Sequence, residues 1–98
     1  MEDELPFKES YDEANQCWIR TFPGNMPSEK MKWHWDDEDR LFEIQEGDSW
    51  QFQRDNELPF PMKPGMSIKI AKGEYHRGIK PEQCEDLVIR MYKSPASN

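Results

Sequence analysis

The chain is poor in cysteine, in branched aliphatic residues and in positive charge. Its 98 residues include only two cysteines, Cys17 and Cys84. Two are too few for a disulfide scaffold, and neither belongs to a C-x-x-C pair, which argues against a zinc knuckle. Thirteen Lys and Arg face twenty Asp and Glu, for a net charge of -7. That balance argues against binding to a nucleic-acid backbone or an anionic membrane surface, both of which call for clustered cations. It suits solubility, or an acidic face presented to a basic protein partner. No apolar run is long enough to span a bilayer, and the opening MEDELPFKES lacks the basic-then-apolar layout of a secretory signal, so a cytoplasmic protein is expected. There is no Gly-x-Ser-x-Gly nucleophile motif and no glycine-rich phosphate loop.

What the chain does have is aromatic bulk. Four Trp, three Tyr, five Phe and six Met supplement an apolar fraction of only 35%. Each aromatic buries a large area, so a small folded core is within reach of a chain that makes one domain. Residues 1–15 are charged and weakly periodic and read as a loose acidic arm or an edge segment. Residues 94–98, SPASN, read as a frayed tail. Residues 16–93 read as short strands between turn residues: QCWIRTF, MKWHW, RLFEIQEG, SWQFQ, a proline-broken LPFPMKPG, MSIKIAKGEYHRGI and DLVIRMYK. Only ESYDEANQ and KPEQCED offer a helix, and both are short. Many short, evenly spaced strands predict an all-β fold closed as a jelly-roll β-barrel.

GMSIKIAKGEYH, residues 65–76, resembles the second conserved motif of the cupin family, G-x5-P-x-G-x2-H-x3-N. Gly65, Gly73 and His76 fall at the family spacing, while Ala71 replaces the proline and Lys80 the final Asn. RLFEIQEG is similar to the second half of the first motif, G-x5-H-x-H-x(3,4)-E-x6-G, with Arg40 in the Glu slot and Gly47 closing it. The resemblance extends over about residues 17–92. It implies a single-domain cupin barrel that pairs as a homodimer, with the edge around CWIRTF as a plausible seam.

The resemblance also implies a metal position, held in the family by two His and a Glu of the first motif and the His of the second. His76 carries over. Arg40 is permanently cationic and does not. Two alignments fill the remaining pair. One uses His34 and Asp36, which with His76 gives two imidazoles and a carboxylate suited to one divalent ion, Fe, Mn, Ni or Zn. The other uses Trp33 and Trp35. Strand parity favours the second, because Met31, Trp33 and Trp35 form an apolar face opposite Lys32, His34 and Asp36. On that reading the barrel carries no cofactor and His34 faces solvent. Trp33, Trp35, Phe42, Trp50 and Phe52 then line a small-molecule pocket whose polar groups are Arg40 and His76. The functional expectation is a small-molecule-binding cupin with a degenerate metal site, acting as a sensor, carrier or sequestering protein. Two readings stand beside it: a metal-dependent oxygenase or isomerase using His34, Asp36 and His76, and an acidic protein-interaction module. The acid run Asp36 to Asp39 lacks the spacing of a calcium loop and reads as a solvated turn.

Overall fold

In a computed structural model that describes residues 5–93, the chain runs through eight β-strands and one 3-10 turn. The strands are β1 (Lys8–Asp12), β2 (Cys17–Phe22), β3 (Arg40–Glu46), β4 (Gln51–Arg54), β5 (Phe60–Pro61), β6 (Ser67–Ile70), β7 (His76–Ile79) and β8 (Leu87–Lys93). The 3-10 turn, Ser28–Lys30, lies between β2 and β3. A five-stranded sheet has the order β1-β2-β8-β3-β6, and a three-stranded sheet the order β5-β4-β7. Every strand pair is antiparallel. The all-β jelly-roll architecture is therefore observed.

Period-two alternation explains which side chains enter the core. Leu87, Ile89 and Met91 are buried on β8, Ile68 and Ile70 on β6, and Ile44 on β3. Trp50 and Phe52 enter from the second sheet. Trp50 is fully enclosed, and its indole N–H donates to the Glu85 carbonyl at 3.0 Å. Its ring centroid lies 6.0 Å from that of Phe22. The buried amine of Lys80 donates to the carbonyls of Pro81 and Glu82 at 2.7 and 2.8 Å, so its charge is not left bare.

Of the two readings of residues 1–15, the edge segment holds for residues 8–12 and the loose arm does not. Residues 8–12 form β1, paired along their length with β2 from Lys8↔Thr21 to Asp12↔Cys17. An edge strand needs no buried face, which is why hydrophobic periodicity misses it. Backbone pairing, an Arg20–Glu9 ion pair at 2.6 Å and an edge-on contact between Tyr11 and Trp18 hold it instead. Nor is β2 the unpaired edge expected around CWIRTF: it lies between β1 and β8, and its ladder is occupied on both sides. The start of the expected arm and the tail at 94–98 lie outside the described residues. Both cysteines are unpaired, and no helix among the described residues is long and apolar enough to cross a membrane.

Candidate metal centre and ligand cavity

The site is assembled by two segments that meet at a single β-bridge. His34 and His76 exchange backbone hydrogen bonds, His34 N–H to His76 O at 3.0 Å and His76 N–H to His34 O at 2.9 Å. Residues opposed in this way project their side chains to the same face. The two imidazole rings accordingly lie 4.3 Å apart, edge to face. One turn further on, the Gly73 N–H donates to the Asp36 carbonyl at 2.8 Å. Gly73 holds φ +79, a left-handed turn that favours glycine, and this turn carries the chain into β7 with His76 as its first residue. The acid run grips the same turn: the Asp39 carboxylate accepts the Lys72 N–H at 2.8 Å.

These contacts bring one ligand atom from each of His34, Asp36 and His76 within 4.8 Å of one another. The rings are oriented by backbone carbonyls. His76 Nδ1 is 2.8 Å from the Glu74 carbonyl, and His34 Nδ1 is 3.0 Å from the Lys32 carbonyl. A carbonyl only accepts, so each Nδ1 carries a proton, which leaves Nε2 as the ring nitrogen able to act as a ligand. Phe52 stacks on the His76 ring, with centroids 5.6 Å apart and planes 27° from parallel. Burial lowers the His76 pKa from its ordinary 6.5; the Glu74 hydrogen bond works in the opposite direction.

The Asp36 carboxylate is divided between two duties. Oδ1 takes the Arg40 guanidinium at 3.0 Å, and Arg40 is also held by Glu38 at 3.0 Å. Oδ2 lies 3.5 Å from His76 Nε2, and both atoms are buried without a hydrogen-bond partner. Two acceptors facing each other in a buried site are unfavourable unless a positive species lies between them. Two imidazole nitrogens and a carboxylate oxygen are the donors that a first-row divalent ion takes, so the residues present fit such an ion.

A cavity of about 710 Å³ opens onto this group. Phe22, Phe42, Phe52, Met62, Leu87 and Ile89 supply much of its apolar wall, and Arg40 and His76 line it as expected. Three expected wall residues do not. Trp50 is sealed in the core. Trp33 and Trp35 lie on the outside, 40% and 53% exposed. Strand parity would place the tryptophans inward only if the inward face of this segment were dry. Instead Lys32, His34 and Asp36 face the cavity, and Lys32 and His34 stay exposed within it. Outside, the Arg77 guanidinium covers the Trp33 ring at 4.8 Å and recovers part of the cost of exposure. His34 therefore lies in the cavity beside His76, not on the outer face where the second alignment puts it. The Glu74 and Lys32 carbonyls and the Asp39 carboxylate went unseen in the sequence, because the family pattern treats their positions as arbitrary spacers.

No family model matches the chain, and no curated protein sequence matches it. Solved structures do. A cupin-like protein from Thermotoga maritima superposes with a TM-score of 0.66 at 15% identity, over 92% of this chain and 68% of that one. KdgF from Halomonas sp. gives 0.66 at 12% identity, over 95% and 84%. FeII HppE gives 0.64 at 8% identity, over 81% and 42%, so this chain spans less than half of that protein. At these identities the likeness establishes a small cupin fold.

Proposed function

We propose that the chain is a metal-dependent cupin enzyme: His34, Asp36 and His76 hold one divalent cation, and the adjoining cavity receives a small organic substrate. The observation that carries this reading is the pair of buried, unpartnered atoms, Asp36 Oδ2 and His76 Nε2, 3.5 Å apart. The similarity to FeII HppE is in keeping with it. Three protein donors leave positions open, and a cation held there would polarise or activate a bound oxygen atom of the substrate. The chain's own contribution is preorganisation. The Glu74 and Lys32 carbonyls fix the Nδ1 protons, Phe52 fixes the His76 ring, and Arg40 ties down Oδ1 so that Oδ2 alone remains for the cation. The apolar wall sheds water around the substrate.

Elemental analysis of protein purified without chelator tests the reading. About one Fe, Mn, Ni or Zn per chain is expected, and its loss in His76→Ala. A wild type free of metal after reconstitution, or a His76→Ala variant that keeps its metal, refutes it.

One observation favours a second reading. Arg40 places a guanidinium 3.0 Å from Asp36, and that charge opposes a nearby cation. The cavity would then bind its small molecule without metal. Native mass spectrometry of metal-free protein showing a retained organic ligand, together with a negative elemental analysis, supports this alternative.

A further inference from the structure

The polar side chains that line the cavity are all ionisable: Arg20, Glu29, Lys30, Lys32 and Arg40, together with the His34, Asp36 and His76 group. No Ser, Thr, Asn, Gln, Tyr or Trp lines it among the described residues. A sugar or other polyol buries many neutral hydroxyls, and each needs a partner of matching geometry. This wall offers none beyond its charges. The remaining lining side chains are aromatic or aliphatic and suit a body that carries no hydrogen-bonding groups.

The charges themselves are unequally engaged. Arg20 is paired with Glu9, and Arg40 with Asp36 and Glu38. Lys30 and Lys32 make no ion pair among the described residues, and both are exposed. They are held where they are by local structure. Lys30 ends the 3-10 turn, whose Ser28 hydroxyl donates to the Pro81 carbonyl at 3.3 Å, and the Lys32 carbonyl is the one that orients His34. Glu29 lines the same wall and is likewise without an ion pair among the described residues, so the uncommitted charges beside the apolar cavity, two ammonium groups and one carboxylate, leave it net positive in a chain of net charge -7. Among the described residues there is no α-helix whose N-terminus could cradle a phosphate beside them, only the three-residue 3-10 turn. A single carboxylate, which one or two ammonium groups satisfy, fits it better.

We propose that the substrate is an amphipathic monocarboxylic acid, with an apolar body free of hydroxyls in the cavity and its carboxylate met by Lys30 and Lys32. This rests on the cavity being the substrate site, as proposed above, and not on the identity of the cation. Isothermal titration calorimetry with three probes tests it: 4-phenylbutanoate, its primary amide and galacturonate. The acid is expected to bind at least about fivefold more tightly than the amide, and galacturonate to bind more weakly than either. The Lys30→Ala/Lys32→Ala double variant is expected to lose about fivefold to tenfold in affinity for the acid, the size of two partly exposed charge contacts, and to bind the amide unchanged. Both lysines are exposed, so the variant keeps its fold, and circular dichroism checks that. Absence of acid binding, equal binding of acid and amide, tighter binding of galacturonate, or an unaltered double variant each overturns the proposal. Elemental analysis of the same samples separates the two ideas. Bound metal without acid preference sinks the substrate class alone, whereas lysine-dependent acid binding without metal sinks the metal reading alone.

Discussion

His34 offers the cleanest perturbation of the proposed metal centre, because it supplies a ligand without supporting the fold. Asp36 and His76 are buried, whereas His34 is exposed within the cavity. Replacing it with Ala removes one of the three donors and should change the stability of the metal-free protein by no more than about 0.5 kcal/mol, as for other exposed side chains. The effect belongs to the metal-bound state. A cation at about 100 times its dissociation constant stabilises the folded chain by about 2.7 kcal/mol. For a domain of this size that raises the melting temperature by roughly 10–20 °C. Loss of an outer-shell partner alone typically weakens metal binding 10- to 100-fold, so loss of a direct ligand should weaken it by about 100-fold or more. At the same cation concentration the variant then gains only about 0.4 kcal/mol, or roughly 2–3 °C. The assay is differential scanning fluorimetry of chelator-treated protein, wild type and His34→Ala, titrated with Zn²⁺ and Mn²⁺. An equal shift in both proteins, or none in the wild type, would show that the three residues do not act as a metal site.

Three further outcomes follow from the packing. Trp50→Ala removes the fully buried indole and should cost about 3–5 kcal/mol in urea denaturation. Trp35→Ala, at a side chain 53% exposed, should stay within about 0.5 kcal/mol, and comparable losses at the two sites would contradict their placement. Gly24→Ala would put a Cβ 1.8 Å from the Cys84 carbonyl oxygen and 2.7 Å from that of Glu85. Both obstacles are backbone, so a loss of about 2–3 kcal/mol is expected by the same measurement, and a neutral result would mean that the loop at 84–85 yields freely. Glu85 carries the pH prediction. Its carboxylate accepts the N–H groups of Asp48 and Ser49 at 2.6 and 2.8 Å. Its own N–H, then these two, lower its pKa from 4.5 to about 2. Because the folded value is the lower one, this contribution is whole above pH 4.5, erodes as the unfolded chain takes up the proton, and is gone below about pH 2. Glu85→Gln should therefore be less stable than wild type at pH 7, with the gap closing as pH falls from 5 to 2; a gap independent of pH refutes the assignment.

Much of the barrel could be read from the residues, because strands that pack on one face carry that fact in their alternation. Leu87, Ile89 and Met91 were such a set, as were Trp50 with Phe52 and Ile68 with Ile70, and all of them are buried. Gly73 and His76 were legible for a different reason: a left-handed turn followed by a side chain aimed inward leaves a fixed spacing. Elements that obey neither rule were left ambiguous, as β1 was between an arm and an edge segment, or were missed. β1 is held by its ladder and by surface contacts, so no hydrophobic period marks it. Glu85 acts through backbone N–H groups some 36 residues away in sequence, a contact that only the folded loops create.

The sidedness of residues 31–36 failed for an instructive reason. The preference for buried indoles compares two faces of one strand and assumes that the inner one is packed. At roughly 25 cal/mol per Å² that comparison is sound for a filled barrel. It does not hold for a barrel whose interior is a cavity, where the inner face is also wet and the apolar difference between the faces shrinks. What decides orientation then is polar pairing. Turned outward, Asp36 would leave the half-buried Arg40 with Glu38 but without its second carboxylate, and the bridge to His76 would set an indole edge rather than an imidazole beside it. Turned inward, the same segment gains the Arg40 ion pair, gathers three ligand atoms and keeps Trp33 under Arg77. A segment that shows its tryptophans to solvent while Lys32, His34 and Asp36 turn inward is therefore oriented by polar pairing around an open interior, and the exposed indoles are the consequence.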